Sequence, residues 1–319
     1  MIRRGLDLAG GWLTDRPHAT RGLAVTRIVL GFIVSTQLML NWSDRSYTWG
    51  DGARWTEPIR ETKGWPGLFG VFLESRGTLF DLLYVATIVF SLMLMVGLWT
   101  RGAAAITLLL WMSLYVSNPF VGSGGDAILR MVLLYACFTD MSRHVSIDAL
   151  LRARRGEVRA WFPSWLTVAL HNVAVVLIVQ QVITVYVGSA FWKVQSPLWR
   201  DGTATYYPLQ TQAYSPWVDL IHPLTSSAPI MHLATWSAIY IQLLFPVALL
   251  YRPTRALALV LVTGMHLGIG ILMGIMYFSL VMIAVDMMLI SDQTWRRLGS
   301  EARKRLHRSA EREVEHAAT

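Results

Sequence analysis

Long apolar runs recur along this chain, and they leave its backbone few options. In hydrocarbon every N–H and C=O must be paired within the protein, so apolar runs of about 20 residues fold as helices. Eight are read: Leu23–Asn41, Leu79–Leu98, Ala103–Val116, Ala127–Phe138, Trp165–Trp192, Ile230–Leu250, Leu257–Met273 and Tyr277–Ile290. The third, fourth and eighth are short, so each is expected to be extended by its flanks or to be partly re-entrant. Composition agrees: 54% of the 319 residues are apolar and 15% charged, against about 25% charged in soluble domains. This excludes a disordered chain and a nucleic-acid-binding domain. A disulfide scaffold is excluded as well, since Cys137 is the single cysteine. The expected fold is all-α, a polytopic membrane bundle of about eight transmembrane helices.

Arginine and lysine orient the bundle, because they concentrate on cytoplasmic segments. Alternate turns hold 19 of them, from Arg3, Arg4, Arg16 and Arg21 through the Arg143–Arg159 turn to the tail from Arg296 to Arg312. The opposite side holds 7: Arg45, Arg54, Arg60, Lys63, Arg76, Lys193 and Arg200. Both termini are therefore expected in the cytoplasm. The start of the chain is polar and basic, so no cleavable signal peptide is expected before the first span. The organisation read is a cytoplasmic segment 1–22, a membrane domain 23–292 and a basic cytoplasmic tail 293–319 resting on anionic lipid.

Two long outer loops, 42–78 and 193–229, are rich in aromatic residues. The first carries Trp42, Trp49, Trp55 and Trp65, the second Trp199, Tyr206, Tyr207, Tyr214 and Trp217. Such rings suit the headgroup zone, and they also suit a lid over a cavity that opens outward.

A charged group at mid-bilayer costs at least ~2.5–3.5 kcal/mol, so each one needs a reason. Arg27 lies one turn into the first span and is expected to snorkel to the cytoplasmic surface. Asp126 can cap the fourth span and pair with Arg130 one turn on. Asp286 is placed to meet Arg27 near the inner face. The fifth span carries His171, Asn172, Gln180 and Gln181 and ends at Lys193. Lys193 has two readings: it snorkels outward, or it is shielded by Phe191, Trp192 and Trp199 so that its neutral amine serves as a base. His266 in the seventh span is a hydrogen-bonded core residue, with Gln242 as a candidate partner, or a proton relay. Glycines at 264/268 and 270/274 match close helix packing. No second histidine stands at metal spacing, so no metal site is expected. No phosphate loop, hydrolase elbow or nucleotide fingerprint is present.

The order of Gly124-Gly-Asp-Ala-Ile-Leu-Arg130, Ser146-Ile-Asp148, Gln181 through Lys193, Trp199-Arg-Asp-Gly202 with Tyr206-Tyr207, and the His266 span with Phe278 and Met282 resembles the HTTM (horizontally transferred transmembrane) domain. That domain is shared with vitamin K-dependent gamma-carboxylases, and the resemblance covers residues 20–292. It implies that Lys193 matches the base that deprotonates a reduced quinone, the implied cofactor. Two departures argue against full carboxylase activity: Gly125-Asp126 stands where the carboxylases have Asn-His, and they continue into a peptide-binding domain beyond the point where this sequence stops. The chain is more similar to short bacterial members of the sporulation-delaying protein B type, implicated in maturing an exported peptide toxin.

The resemblance implies a multi-pass protein of the bacterial cytoplasmic membrane that takes part in maturing or modifying an exported peptide. Lys193 and His266 are its candidate catalytic residues, and Arg27, Asp126, Arg130, Gln181 and Gln242 its structural polar ones. The alternative is a non-enzymatic quinone- or lipid-binding membrane subunit. Expected partners are membrane lipid, an exported peptide and a partner subunit. A transporter is disfavoured, because no inverted repeat or paired broken helices are evident.

Overall fold

The computed structural model describes residues 10–56, 67–155, 162–211, 214–301 and 304–305. Eight helices stand where the apolar runs place them: α1 Thr20–Leu40, α2 Gly77–Val96, α3 Thr100–Ser117, α4 Gly124–Ala136, α5 Ser164–Gln195, α6 Ala228–Ala248, α7 Arg252–Leu272 and α8 Met276–Asp286. No strand occurs among the described residues. Five of these helices (α1, α2, α5, α6 and α7) are long and apolar enough to cross a membrane. A sixth crossing counts if α8, extended to Leu289, is joined to Asp292–Glu301, which turns away by 103°.

Packing explains the short helices. α1 packs on α2 and α8, α2 on α3, α3 on α4, α4 on α8 and α5, α5 on α6, α6 on α7, and α7 on α8. Two rings of helices therefore share α4 and α8. At 1.5 Å per residue these two rise only about 20 Å and 16 Å, short of a bilayer core. They stand at the centre, so other helices rather than lipid cover most of their length. The two are central struts, and turns at their ends extend them.

The starts of α1, α3, α5 and α7 lie at one end of the bundle, with the ends of α2, α4 and α8. There Asp292, beyond α8, accepts from the backbone N–H of Arg21 at 2.8 Å and of Thr20 at 3.3 Å, capping α1. His171 of α5 accepts from the N–H of Asp140 at 2.9 Å, while its Nε2 lies 2.8 Å from the carbonyl of His18. Asn172 beside it binds the carbonyls of Trp12, Leu13 and Arg16 and the N–H of His18. These two buried residues tie the chain before α1 onto α5.

Arg27 is fully buried, which corrects the expectation that it snorkels. Its guanidinium donates to the carbonyls of Leu94 (2.6 Å), Met95 (2.5 Å), Val145 (2.6 Å) and Met141 (3.2 Å). It thus closes the last turn of α2 against the turn after α4. Gly97 follows α2 at φ +71°, and a Cβ there would lie 2.4 Å from that of Ser146 and 2.7 Å from Nη1 of Arg27. Asp148 caps α3, accepting from the N–H of Trp99 and Thr100 at 2.8 and 2.9 Å.

At the other end the aromatic loops divide. Trp49 is buried on the first ring, and Asn118 ties that loop to α3 by donating to the carbonyl of Thr48 at 2.7 Å. The second loop covers α5, α6 and α7: Trp217 donates to the carbonyl of Ile271 and Trp236 to that of Arg200. Trp42, Trp55 and Trp217 stay exposed, and Trp65 lies outside the described residues.

Candidate functional site

Four helices of the second ring bring polar side chains into an apolar interior. Tyr186 and Lys193 stand seven residues apart on α5, two turns along one face. α6 supplies Gln242 and Phe245, α7 His266, and α8 Asp286 and Phe278. Lys193 is half-buried, and its Nζ donates to Oε1 of Gln242 at 2.5 Å. The same ammonium stands 4.9 Å from the centroid of the Trp199 ring, within cation–π range. Trp199 follows the end of α5, so this loop helps to roof the lysine.

The inner part of the site is a line of three groups. Tyr186 Oη donates to Oδ2 of Asp286 at 2.6 Å and stands 3.1 Å from Nε2 of His266. Because the hydroxyl proton goes to the carboxylate, Nε2 must be the donor toward Oη, which leaves Nδ1 as an acceptor. Phe245 meets Tyr186 edge-on at 4.8 Å, and Phe278 meets His266 at 5.6 Å. Nδ1 of His266, Oδ1 of Asp286 and Oγ of Ser279 are buried with no hydrogen-bond partner. A buried polar atom without a partner costs about 1–3 kcal/mol, a cost that a ligand or water reaching any of the three would relieve.

Three expected pairings are corrected. Gln242 serves Lys193, whereas His266 finds Tyr186. Asp286 meets Tyr186, and no ion pair joins it to Arg27. Asp126 does cap α4, exchanging bonds with Ser123 (Ser123 N–H to Oδ2 at 2.5 Å), yet no ion pair joins it to Arg130. The Arg130 guanidinium instead lies 3.7 Å over the ring of Tyr115. Gln181 is half-buried on α5, five residues before Tyr186, and is brought to neither group.

Tyr186 is the residue that sequence reasoning missed. Its signal was present: a tyrosine deep in an apolar span, in register with Lys193. The glycine pattern of α7 also reads differently in three dimensions. Gly270 sits 3.0 Å from Ser279 when a Cβ is added, Gly274 turns the chain at φ +70°, and Gly264 and Gly268 face open space.

A cavity of about 210 Å³ opens beside this site, lined by Gln37, Asp126, Tyr277 and Phe278 among others. Phe278 is shared: it lines the cavity and touches His266. Lys193 does not line it.

No solved structure matches the chain. The HTTM domain family model matches residues 15–295, which takes in all eight helices and the site they build. The chain is therefore a member of the HTTM domain family, a membrane protein with several apolar helices.

Proposed function

We propose that this HTTM-domain protein takes part in modifying an exported peptide, with Lys193 as the base and His266 as the proton relay. The observation that carries the reading is the pair of polar groups held inside the second ring. Positive charge concentrates at the opposite end of the bundle, so the positive-inside tendency turns Lys193 outward, toward exported substrates. As the side chains are placed, Gln242 presents its carbonyl oxygen and not its NH2 group to Nζ. It therefore orients the amine through one N–H and does not compete for the lone pair.

The His266–Tyr186–Asp286 line moves charge without moving heavy atoms. A proton taken up at Nδ1 is matched by transfer of the Nε2 proton to Oη and of the hydroxyl proton to Oδ2. Asp286 ends protonated and the imidazole neutral.

A reduced quinone, implied by the carboxylase resemblance, fits the neighbouring cavity in chemistry. Gln37 and Asp126 would face its hydroxyl groups and Phe278 and Tyr277 its ring; when bound, such a group supplies an oxidisable diphenol. Because Lys193 lies outside that cavity, the base is assigned to the peptide and not to the quinone.

The test is mass spectrometry of exported peptides from cells with the chain, without it and with Lys193→Ala. A peptide mass that depends on the chain and disappears in Lys193→Ala, at unchanged membrane abundance, is expected. The same mass surviving in Lys193→Ala removes the base. One observation favours a second reading, a non-enzymatic quinone- or lipid-binding subunit: Gln242 and Trp199 already accommodate Lys193 as a resting cation. That reading expects Lys193→Gln to be tolerated.

A further inference from the structure

At the end of the bundle away from Lys193, a groove of about 1500 Å³ runs between the start of the chain, α7 and the segment after α8. This exceeds the ~300–1,000 Å³ of ordinary small-molecule sites. Its mouth is lined by Arg16, Arg21, Arg143, Arg252, Arg296 and Arg297. No ion pair among the described residues engages any of the six. Asp292 is the one carboxylate among the described residues lining it, and it is already committed to the N–H groups of Thr20 and Arg21. The mouth therefore presents net positive charge, drawn from four separate segments of the chain.

The rest of the groove is of a different kind. Along α7 its wall is Leu259, Val260, Thr263, Gly264 and Leu267. From Arg252 to Leu267 the helix rises roughly 22 Å, so the wall leads from the basic mouth deep into the apolar zone. Gly264 has no heavy atom within 4 Å of where its side chain would be, and this keeps the wall open. Thr263 Oγ1 lies beneath this wall, buried and without a hydrogen-bond partner. Charge at the mouth and an apolar trough behind it match a molecule with an anionic head and long hydrocarbon tails. A free phosphate or an acidic peptide would use the arginines but not the trough.

We infer that this groove binds an anionic diacyl phospholipid of the adjoining leaflet, its phosphate among the arginines and its chains along α7. The inference does not depend on Lys193 having any catalytic role.

The experiment uses the full chain in detergent, loaded with phosphatidylglycerol or phosphatidylcholine and read by native mass spectrometry. Phosphatidylglycerol should be retained at least tenfold better. The triple variant Arg143→Gln/Arg252→Gln/Arg296→Gln should lose that preference, while Arg45→Gln at the other end should keep it. Gly264→Leu, which fills the wall without altering charge, should also reduce retention, and it keeps the test decisive if the triple variant fails to fold. Equal retention of the two lipids overturns the inference. So does displacement of phosphatidylglycerol by millimolar inorganic phosphate, which would leave a simple anion site.

Discussion

Arg27 shows how one residue in an apolar span can be compulsory without being catalytic. Its four carbonyl partners belong to the end of α2 and the turn after α4, and of these the carbonyl of Leu94 also accepts from the N–H of Gly97 at 3.1 Å. Arg27→Met keeps the volume and removes every donor, so it should cost at least ~3 kcal/mol, the lower end of what several buried unpaired acceptors cost. The expected observation is a large fall in melting temperature in detergent, and a stability equal to the unsubstituted chain would refute the clamp. Gly97 makes the complementary case. An alanine there is strained at φ +71° and strikes Ser146, for a combined cost of about 2–5 kcal/mol. Tyr186→Phe should abolish the proton line while leaving Lys193 in place. If peptide modification persists in that variant, His266 is a structural residue. The sequence marked Arg27, His266 and Asp286 as needing a reason, because an apolar span makes each one costly, and it offered Arg27 an escape to the surface in place of the carbonyl partners it has. It could not say which partners, since Arg27 meets groups 67 to 118 residues away and Tyr186 meets Asp286 at 100. Hydropathy reports cost, and only packing reports the partner.

Elements are joined at their ends in this fold, and the joints are built from small polar contacts. Residues 10–18 hang on His171 and Asn172, the start of α1 hangs on Asp292, and Thr20 Oγ1 also lies 3.1 Å from Nε2 of His144. His144 lies outside the spans, and its pKa is pulled below the ordinary 6.5 by burial first and by Arg21 next, with Arg143 adding to this. Asp292 and Asp140 oppose the shift without reversing it. The folded chain thus favours the neutral ring, whereas the unfolded chain takes up a proton near pH 6.5. The stability from this site is complete above that pH and is lost as pH falls from 6.5 toward the lower folded value. A modest acid-side drop in melting temperature between pH 6.5 and 5 is expected, and His144→Gln should flatten it. Identical slopes in the two proteins would show that His144 plays no part. The contacts behind this joint were invisible in the linear chain, although the helices they connect were not. Periodicity and capping residues mark where a helix lies, but the pairing of its ends depends on the order of packing.

At the scale of the whole molecule, two rings sharing α4 and α8 account for two of the three apolar runs that do not give a helix with the length and hydropathy of a crossing, the third being α3. The central helices carry Asp126 and Asp286, and their shortness leaves room for the cavity beside Phe278. The alternation of ends within the bundle makes a definite statement about sidedness. The turn after α3 and the loop before α6 share one face; the turn after α4 shares the other with both described chain ends. Cysteines placed one at a time in a Cys137→Ser background test this directly with a membrane-impermeant maleimide. Phe120→Cys and Trp217→Cys should label in intact cells, whereas Val145→Cys, which is 78% exposed in the native residue, should label only after permeabilisation. Labelling of both groups from the same side would mean that α4 does not carry the chain through, and the shared-ring arrangement could not hold. Labelling of Val145→Cys alone in intact cells would keep the bundle but invert it. Lys193 would then face the interior of the cell, and any action on an exported peptide would be lost with it.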